Sequence, residues 1–197
     1  FFDDNDQPLI LSGGNFHGEP LALALDFLKI AMTDLGNISE RRIAKLVDET
    51  NNQYLLPAFL TLEGGLNSGF MLLQYTAAAL ASENKVLSHP SSADSLPSSG
   101  SVEDHVSMGT IAARKAGKIL EHTAQVLAIE WLSAAQAYEF VSPLKLGKGS
   151  AAAYELLRQH VPALGEDRIL APDLRVAKDL LWESRLLDHV SKAVDIV

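Results

Sequence analysis

No proline falls between Pro97 and Pro143, and that uninterrupted run constrains the fold more than any other feature. Within it Val106, Ile111, Ile119, Leu120, Val126, Leu127, Trp131 and Leu132 recur at helical spacing. The pattern predicts a helix over residues 103–140, about 57 Å long at ~1.5 Å per residue. An ordinary helix has only about 11–12 residues. A helix this long cannot bury its faces inside a small globule. It needs partner helices of similar length, from the same chain or from copies of it. A chain of 197 residues is long enough for one domain with a substantial core.

The flanking segments read as helices too. Residues 1–19 are rich in turn signals, Asp6-Gln7-Pro8 and Ser12-Gly13-Gly14-Asn15, with Leu9-Ile10-Leu11 as a possible small strand. Pro20 suits a first helical turn. Leu21, Leu25, Leu28 and Met32 follow as its apolar stripe, and Gly36-Asn37 reads as its end. Ser39 is the expected N-cap of a second, shorter helix striped by Ile43, Leu46 and Val47. Residues 66–87 are apolar nearly all round, the pattern of a helix buried on several sides. Residues 88–102 are rich in serine and read either as a flexible linker or as an ordered connection carrying function. Helices near residues 151–160 and 174–194 close the chain. The expected organisation is an all-α, long-helix bundle: a loop at 1–19, bundle helices at 20–140 and C-terminal helices at 141–197.

Charge and composition narrow the function classes. Sixteen Lys and Arg against 25 Asp and Glu leave a net charge of −9, a surface that repels phosphate backbones. No nucleic-acid partner is expected. The absence of cysteine excludes disulfides, thiolate metal sites and cysteine nucleophiles. No stretch is long and apolar enough to span a bilayer, and the first residues carry no signal-peptide pattern. No membrane partner is expected, and the expected compartment is the cytoplasm. The chain begins at Phe1 in what reads as a loop, which suggests a fragment or a processed product.

General motifs contribute little. There is no Walker A loop, no dinucleotide glycine pattern and no HExxH. His17-Gly18-Glu19 offers two metal ligands without a third, so a loop role is the better reading and no metal is expected. Glu103-Asp104-His105 has the chemistry for acid–base work, but neighbours on a helix point in different directions. On the expected helix, Glu103 and Asp104 equally suit complementing the N-terminal dipole, with Ser98 or Ser101 as cap.

The ordered polar segments say more. Ser12-Gly13-Gly14-Asn15-Phe16-His17-Gly18-Glu19-Pro20 resembles a signature of the aromatic amino acid ammonia-lyases, in their histidine-specific branch. In order behind it come Ile38-Ser39-Glu40-Arg41-Arg42-Ile43, Leu66-Asn67-Ser68-Gly69-Phe70-Met71 and Ser82-Glu83-Asn84-Lys85. His89-Pro90, Asp94-Ser95-Leu96-Pro97, Glu103-Asp104-His105-Val106-Ser107-Met108-Gly109 and Ala128-Ile129-Glu130-Trp131-Leu132 complete the set. Each is weak alone; their collinearity is specific. The resemblance is dense to about residue 135 and loose beyond.

That resemblance implies an ammonia-lyase/fumarase-like central helical bundle completed by oligomerisation, with a homotetramer in the full-length enzyme. It implies elimination of ammonia from L-histidine, or another aromatic L-amino acid, with urocanate as the product from histidine. It implies no external cofactor, only a methylidene-imidazolone that the family makes from an Ala-Ser-Gly tripeptide. The sequence has no such tripeptide, and Ser98-Ser99-Gly100 aligns with the wrong place. The chain therefore resembles the C-terminal portion of the enzyme, has no complete catalytic set, and is expected to be inactive alone. Carried over by position, Phe16 matches an aromatic residue lining the substrate pocket, with an ordinary core phenylalanine as the alternative. Glu103 matches an acidic residue near the substrate imidazole, where a carboxylate can accept the ring N–H. Asn15 is expected to hold the Phe16 loop, and His105 to support the site or pack on the helix. Gly100-Ser101-Val102 departs from the family's usual Ala-Asn-Gln, which removes two amides beside the site. A tyrosine or phenylalanine ammonia-lyase or an aminomutase is the alternative within the family. A non-catalytic helical oligomerisation module is the alternative outside it.

Overall fold

The computed structural model describes residues 1–11, 13–141 and 143–196. The described residues form six α-helices: α1 (Glu19–Val47), α2 (Met71–Leu87), α3 (Gly109–Tyr138), α4 (Lys148–Arg158), α5 (Ala171–Trp182) and α6 (Arg185–Val190). Short 3₁₀ turns lie at Ala58–Leu60 and Ser99–Ser101. Among the described residues there is no strand. Leu9-Ile10-Leu11, expected as a small strand, is exposed coil, and the nearby chain makes only an isolated bridge between Phe2 and Pro8. Ser12, which opens the expected Ser12–Asn15 turn, lies outside the described residues.

The α1–α3 pairing is the most extensive in the molecule. The Ser39 hydroxyl meets Glu130 and the Thr123 hydroxyl meets the Met32 carbonyl, both 91 residues apart in sequence. A constant offset means that the two helices run parallel. Gln74 faces Glu40, while the Asn84 carbonyl faces Thr33, so α2 runs antiparallel to α1. Because α1 and α3 are parallel, the loops that enter them arrive at the same end of the bundle. That geometry builds the candidate site.

Several helix limits differ from expectation. Residues 19–47 form one helix rather than two. Gly36 does not end it, because tertiary packing outweighs the ~1 kcal/mol that glycine costs inside a helix. A Cβ there would lie 3.6 Å from both Asn84 and Thr123, so the position sits inside the three-helix contact. Ser39 is buried within α1 and caps nothing; its hydroxyl donates to Glu130 Oε2 at 2.6 Å. The long helix begins at Gly109 rather than at residue 103 and spans 30 residues, about 45 Å. Met108, at φ 53°, precludes helical continuation upstream, and Glu103 is committed to a backbone pairing with Ser98. Neither Ser98 nor Ser101 caps α3, and no acidic residue lies in its first turn. The dipole reading of Glu103 therefore falls. α2 begins at Met71, because Gly69 turns the chain at φ +52°, where a Cβ would sit 2.3 Å from the Phe59 carbonyl oxygen. The last predicted helix is split into α5 and α6 by Ser184 at φ 59°.

The core has two characters. Ile43, Val47, Leu60, Phe70, Leu73, Val126, Ile129, Leu132, Leu157 and Val161 make an apolar cluster at one end. Toward the start of α1 the buried face is Ala22, Asp26, Lys29, Thr33 and Gly36. The apolar stripe is not this buried face: Leu21 and Leu28 are exposed, and Leu25 and Met32 are only half-buried. On α2, Leu72, Tyr75 and Val86 are likewise exposed, so that helix buries one face rather than several.

Candidate functional site

Residues 13–18 lead into α1, and residues 98–108 lead into α3. The two segments meet where their helices begin. A Cβ on Gly18 would sit 3.0 Å from the Ser107 hydroxyl, so the loops touch almost at the backbone. The His17 and His105 rings stack with centroids 5.0 Å apart and planes 2° from parallel. His17 Nδ1 accepts from the Glu19 backbone N–H at 3.2 Å, and its Nε2 lies 2.9 Å from the His105 carbonyl oxygen. With Nδ1 accepting, the proton sits on Nε2, which donates to that carbonyl. Both nitrogens are thus engaged, and the loop reading of His17 prevails over metal ligation. The Glu19 carboxylate lies 3.9 Å from His105 Nε2.

The predicted site residues sit on these two segments. Phe16 directly precedes His17 and is 80% exposed, so it is not a core phenylalanine. Asn15 is exposed beside it. Glu103 is half-buried, two residues before His105. His105 stacks on His17 and lies beside Glu19, the first residue of α1. The structure brings the segments of all four residues together at one end of the bundle.

Other anchors, not found from sequence, hold the 88–107 segment in place. Lys29 is fully buried and lies 2.6 Å from Asp26 Oδ1. Its ammonium donates to the His89 carbonyl at 3.1 Å and to the Ser91 hydroxyl at 3.5 Å. Asp26 Oδ2 accepts from the Ser92 N–H at 2.8 Å and from its hydroxyl at 2.7 Å. Burial by itself would raise the Asp26 carboxyl, but the Lys29 ammonium and the two Ser92 donors outweigh it and bring it down to about 2. Further along, the Ser95 hydroxyl accepts from the Val106 N–H at 3.0 Å, and Ser98 pairs with Glu103. The serine-rich stretch is thus an ordered connection. One signal was available in the sequence: Asp26 and Lys29, three residues apart on one helical face, align with small residues rather than with the leucines. Deeper in the bundle, Asn84 Oδ1 meets His122 Nδ1 at 2.9 Å, and burial lowers the His122 pKa from its ordinary value.

A separate groove of about 680 Å³ lies away from these loops, between the start of α2 and the segment before α5. Asp167 shapes it by accepting from the Ser68 and Gly69 N–H groups at 2.7 and 2.9 Å.

The aromatic amino acid lyase family model matches residues 1–159, which include both loops and the three long helices. This chain belongs to that family. Among curated relatives of this chain, the histidine ammonia-lyase of Chloroflexus aurantiacus is 52% identical over 191 residues, covering 94% of this chain and 36% of the relative. That of Caldanaerobacter subterraneus subsp. tengcongensis is 56% identical over 186 residues, with 94% and 36% covered. The crystal structure of histidine ammonia-lyase from Trypanosoma cruzi matches with a TM-score of 0.89 at 45% identity, covering 98% of this chain and 38% of that one. Tyrosine aminomutase from Streptomyces globisporus matches with a TM-score of 0.89 at 40% identity, over the same shares. The chain spans little more than a third of the length of these relatives. The fold is the helical lyase fold expected from the sequence.

Proposed function

We propose that this chain is the C-terminal part of a histidine ammonia-lyase and contributes the Phe16 and Glu103 side of the substrate pocket. One observation carries the reading. The His17–His105 contact joins the aromatic loop to the acidic segment in a family member about half identical to curated histidine ammonia-lyases. In the complete enzyme, L-histidine loses a β-proton and its α-amine as ammonia, and a carbon–carbon double bond forms to give urocanate. The methylidene-imidazolone, formed from an Ala-Ser-Gly tripeptide outside this sequence, supplies the electrophile for that elimination. The residues here suit such a group: the Phe16 ring presents an open, uncharged face for a flat heterocycle or an imidazole to cover. Glu103 accepts the substrate ring N–H in a charge-assisted hydrogen bond, and Phe16 excludes water from the ring. A cytoplasmic location belongs to the same reading.

The exposed apolar surface of α1 supports it further. Leu23, Phe27 and Ile30 are exposed along one side of α1, and Leu21, Leu28 and Leu35 along another. An apolar surface of that kind on a long helix suits packing against copies of the chain, here as a homotetramer. The test is turnover of L-histidine by the complete enzyme, followed by the ultraviolet absorbance of urocanate. Glu103→Gln is expected to lower kcat/KM for histidine by about ten- to a hundredfold, the scale of one charged hydrogen bond. Unchanged turnover removes Glu103 from substrate recognition. The structural match to tyrosine aminomutase favours one competitor, so L-tyrosine and L-phenylalanine belong in the same assay. Preference for either, or formation of a β-amino acid, replaces the histidine reading.

A further inference from the structure

We infer that His17 is a positioning residue that pins the Phe16 loop to the Glu103 segment and so sets the width of the substrate pocket. The inference rests on the pocket reading above and adds a residue to it. His17 follows Phe16 directly and uses both ring nitrogens and one ring face. Nδ1 takes the Glu19 N–H, which fixes the loop to the first residue of α1. Nε2–H reaches across 88 residues of sequence to the His105 carbonyl. The ring stacks on His105.

Other ties orient each segment separately. The Asp26–Lys29 pair holds residues 89–92, and Ser95 holds Val106. The His17 bridge instead ties the Phe16 loop directly to the Glu103 segment. Gly18 supports this tie, because its missing side chain lets Ser107 approach to within what would be 3.0 Å of a Cβ. The Glu103 carboxylate is two residues from the bridged carbonyl, too close along the chain for the acidic segment to move independently of Phe16. Small misplacements of contact groups cost large rate factors, about 10²-fold for roughly 1 Å.

Two substitutions in the complete enzyme separate the bonds. His17→Asn keeps an oxygen that can accept the Glu19 N–H but cannot reach His105. His17→Gln keeps a donor of the length needed for the His105 carbonyl. The expected result is a fall of about tenfold or more in kcat/KM for His17→Asn and recovery of most of it in His17→Gln. In the Glu103→Gln background the same His17→Asn change is expected to cost much less, because its effect runs through that carboxylate. Hydrogen–deuterium exchange supplies a readout independent of turnover: residues 103–107 exchange faster in His17→Asn, while the α1 amides near residue 22 do not. Turnover within about twofold of the parent in His17→Asn, or equal losses in both backgrounds, overturns the inference. If the parent turns over no aromatic amino acid, the histidine ammonia-lyase reading fails on its own. Exchange then decides the pin: faster exchange at 103–107 keeps it, and unchanged exchange removes it.

Discussion

The two ends of the three-helix core are built on opposite logic. At one end Ile43, Val47, Phe70, Leu73, Ile129 and Leu132 pack as an ordinary apolar cluster. At the other, α1 turns Asp26, Lys29, Thr33 and Gly36 inward and leaves Leu21, Leu23, Phe27 and Leu28 outside. The apolar end gains stability from non-directional burial, which tolerates small shifts. The polar end gains direction. Lys29 fixes the His89 carbonyl and Asp26 the Ser92 N–H, and the segment these backbone groups belong to carries Glu103. The end that carries the proposed site is therefore the end built from hydrogen bonds and a buried ion pair. Such pairs contribute little net stability but hold one geometry.

The comparison can be broken at either end. The largest effect is expected at the polar end. Lys29→Ala strands Asp26 as a buried, unpaired carboxylate and is expected to cost about 3–5 kcal/mol in urea unfolding of the complete protein at neutral pH. The deficit should shrink near pH 3, where Asp26 can protonate. A pH-independent deficit would mean that lost packing, not the charge pair, sets the cost. At the apolar end, Ile129→Ala is expected to cost about 3 kcal/mol through its cavity, equally at both pH values.

The smaller effect is the pH dependence of the unsubstituted protein. Asp26 is lowered from 3.8 to about 2, so the folded state binds fewer protons than the unfolded chain near pH 3. Its contribution, about 2 kcal/mol by linkage, is full above about pH 5 and is lost as pH falls toward 2. His122 is depressed by burial, against the opposing pull of Glu83 and Glu121 and with help from Lys118. Its contribution is present above its unfolded value of 6.5 and decays as pH falls through the lower folded value. His122→Gln should flatten the fall in urea midpoint between pH 7 and pH 5. An unchanged slope would assign that window to other groups.

The helical class, the long central helix and the order of the motifs were legible in the sequence, because periodicity and proline placement are local properties. The meeting of the two segments was not legible. Phe16, Glu103, Asn15 and His105 were read as candidates by position alone, and Glu103 was expected on a helix that in fact begins at Gly109. Met108 takes a left-handed backbone conformation that its residue type does not announce. His17 was read from sequence only as a loop residue, because its partner lies 88 residues away. The buried face of α1 was not legible for a related reason. Leucines at helical spacing mark an apolar face, but they do not say whether the chain's own helices pack on it.

The sequence by itself determined an all-α chain of this family, since helix periodicity, turn chemistry and collinear motifs are written residue by residue. Only the tertiary structure decided which face of α1 is inside, where α3 starts, and that the parallel course of α1 and α3 sets the Phe16 and Glu103 loops side by side. Those outcomes depend on contacts between residues some 90 positions apart, whose directional hydrogen bonds exist only once the helices have packed.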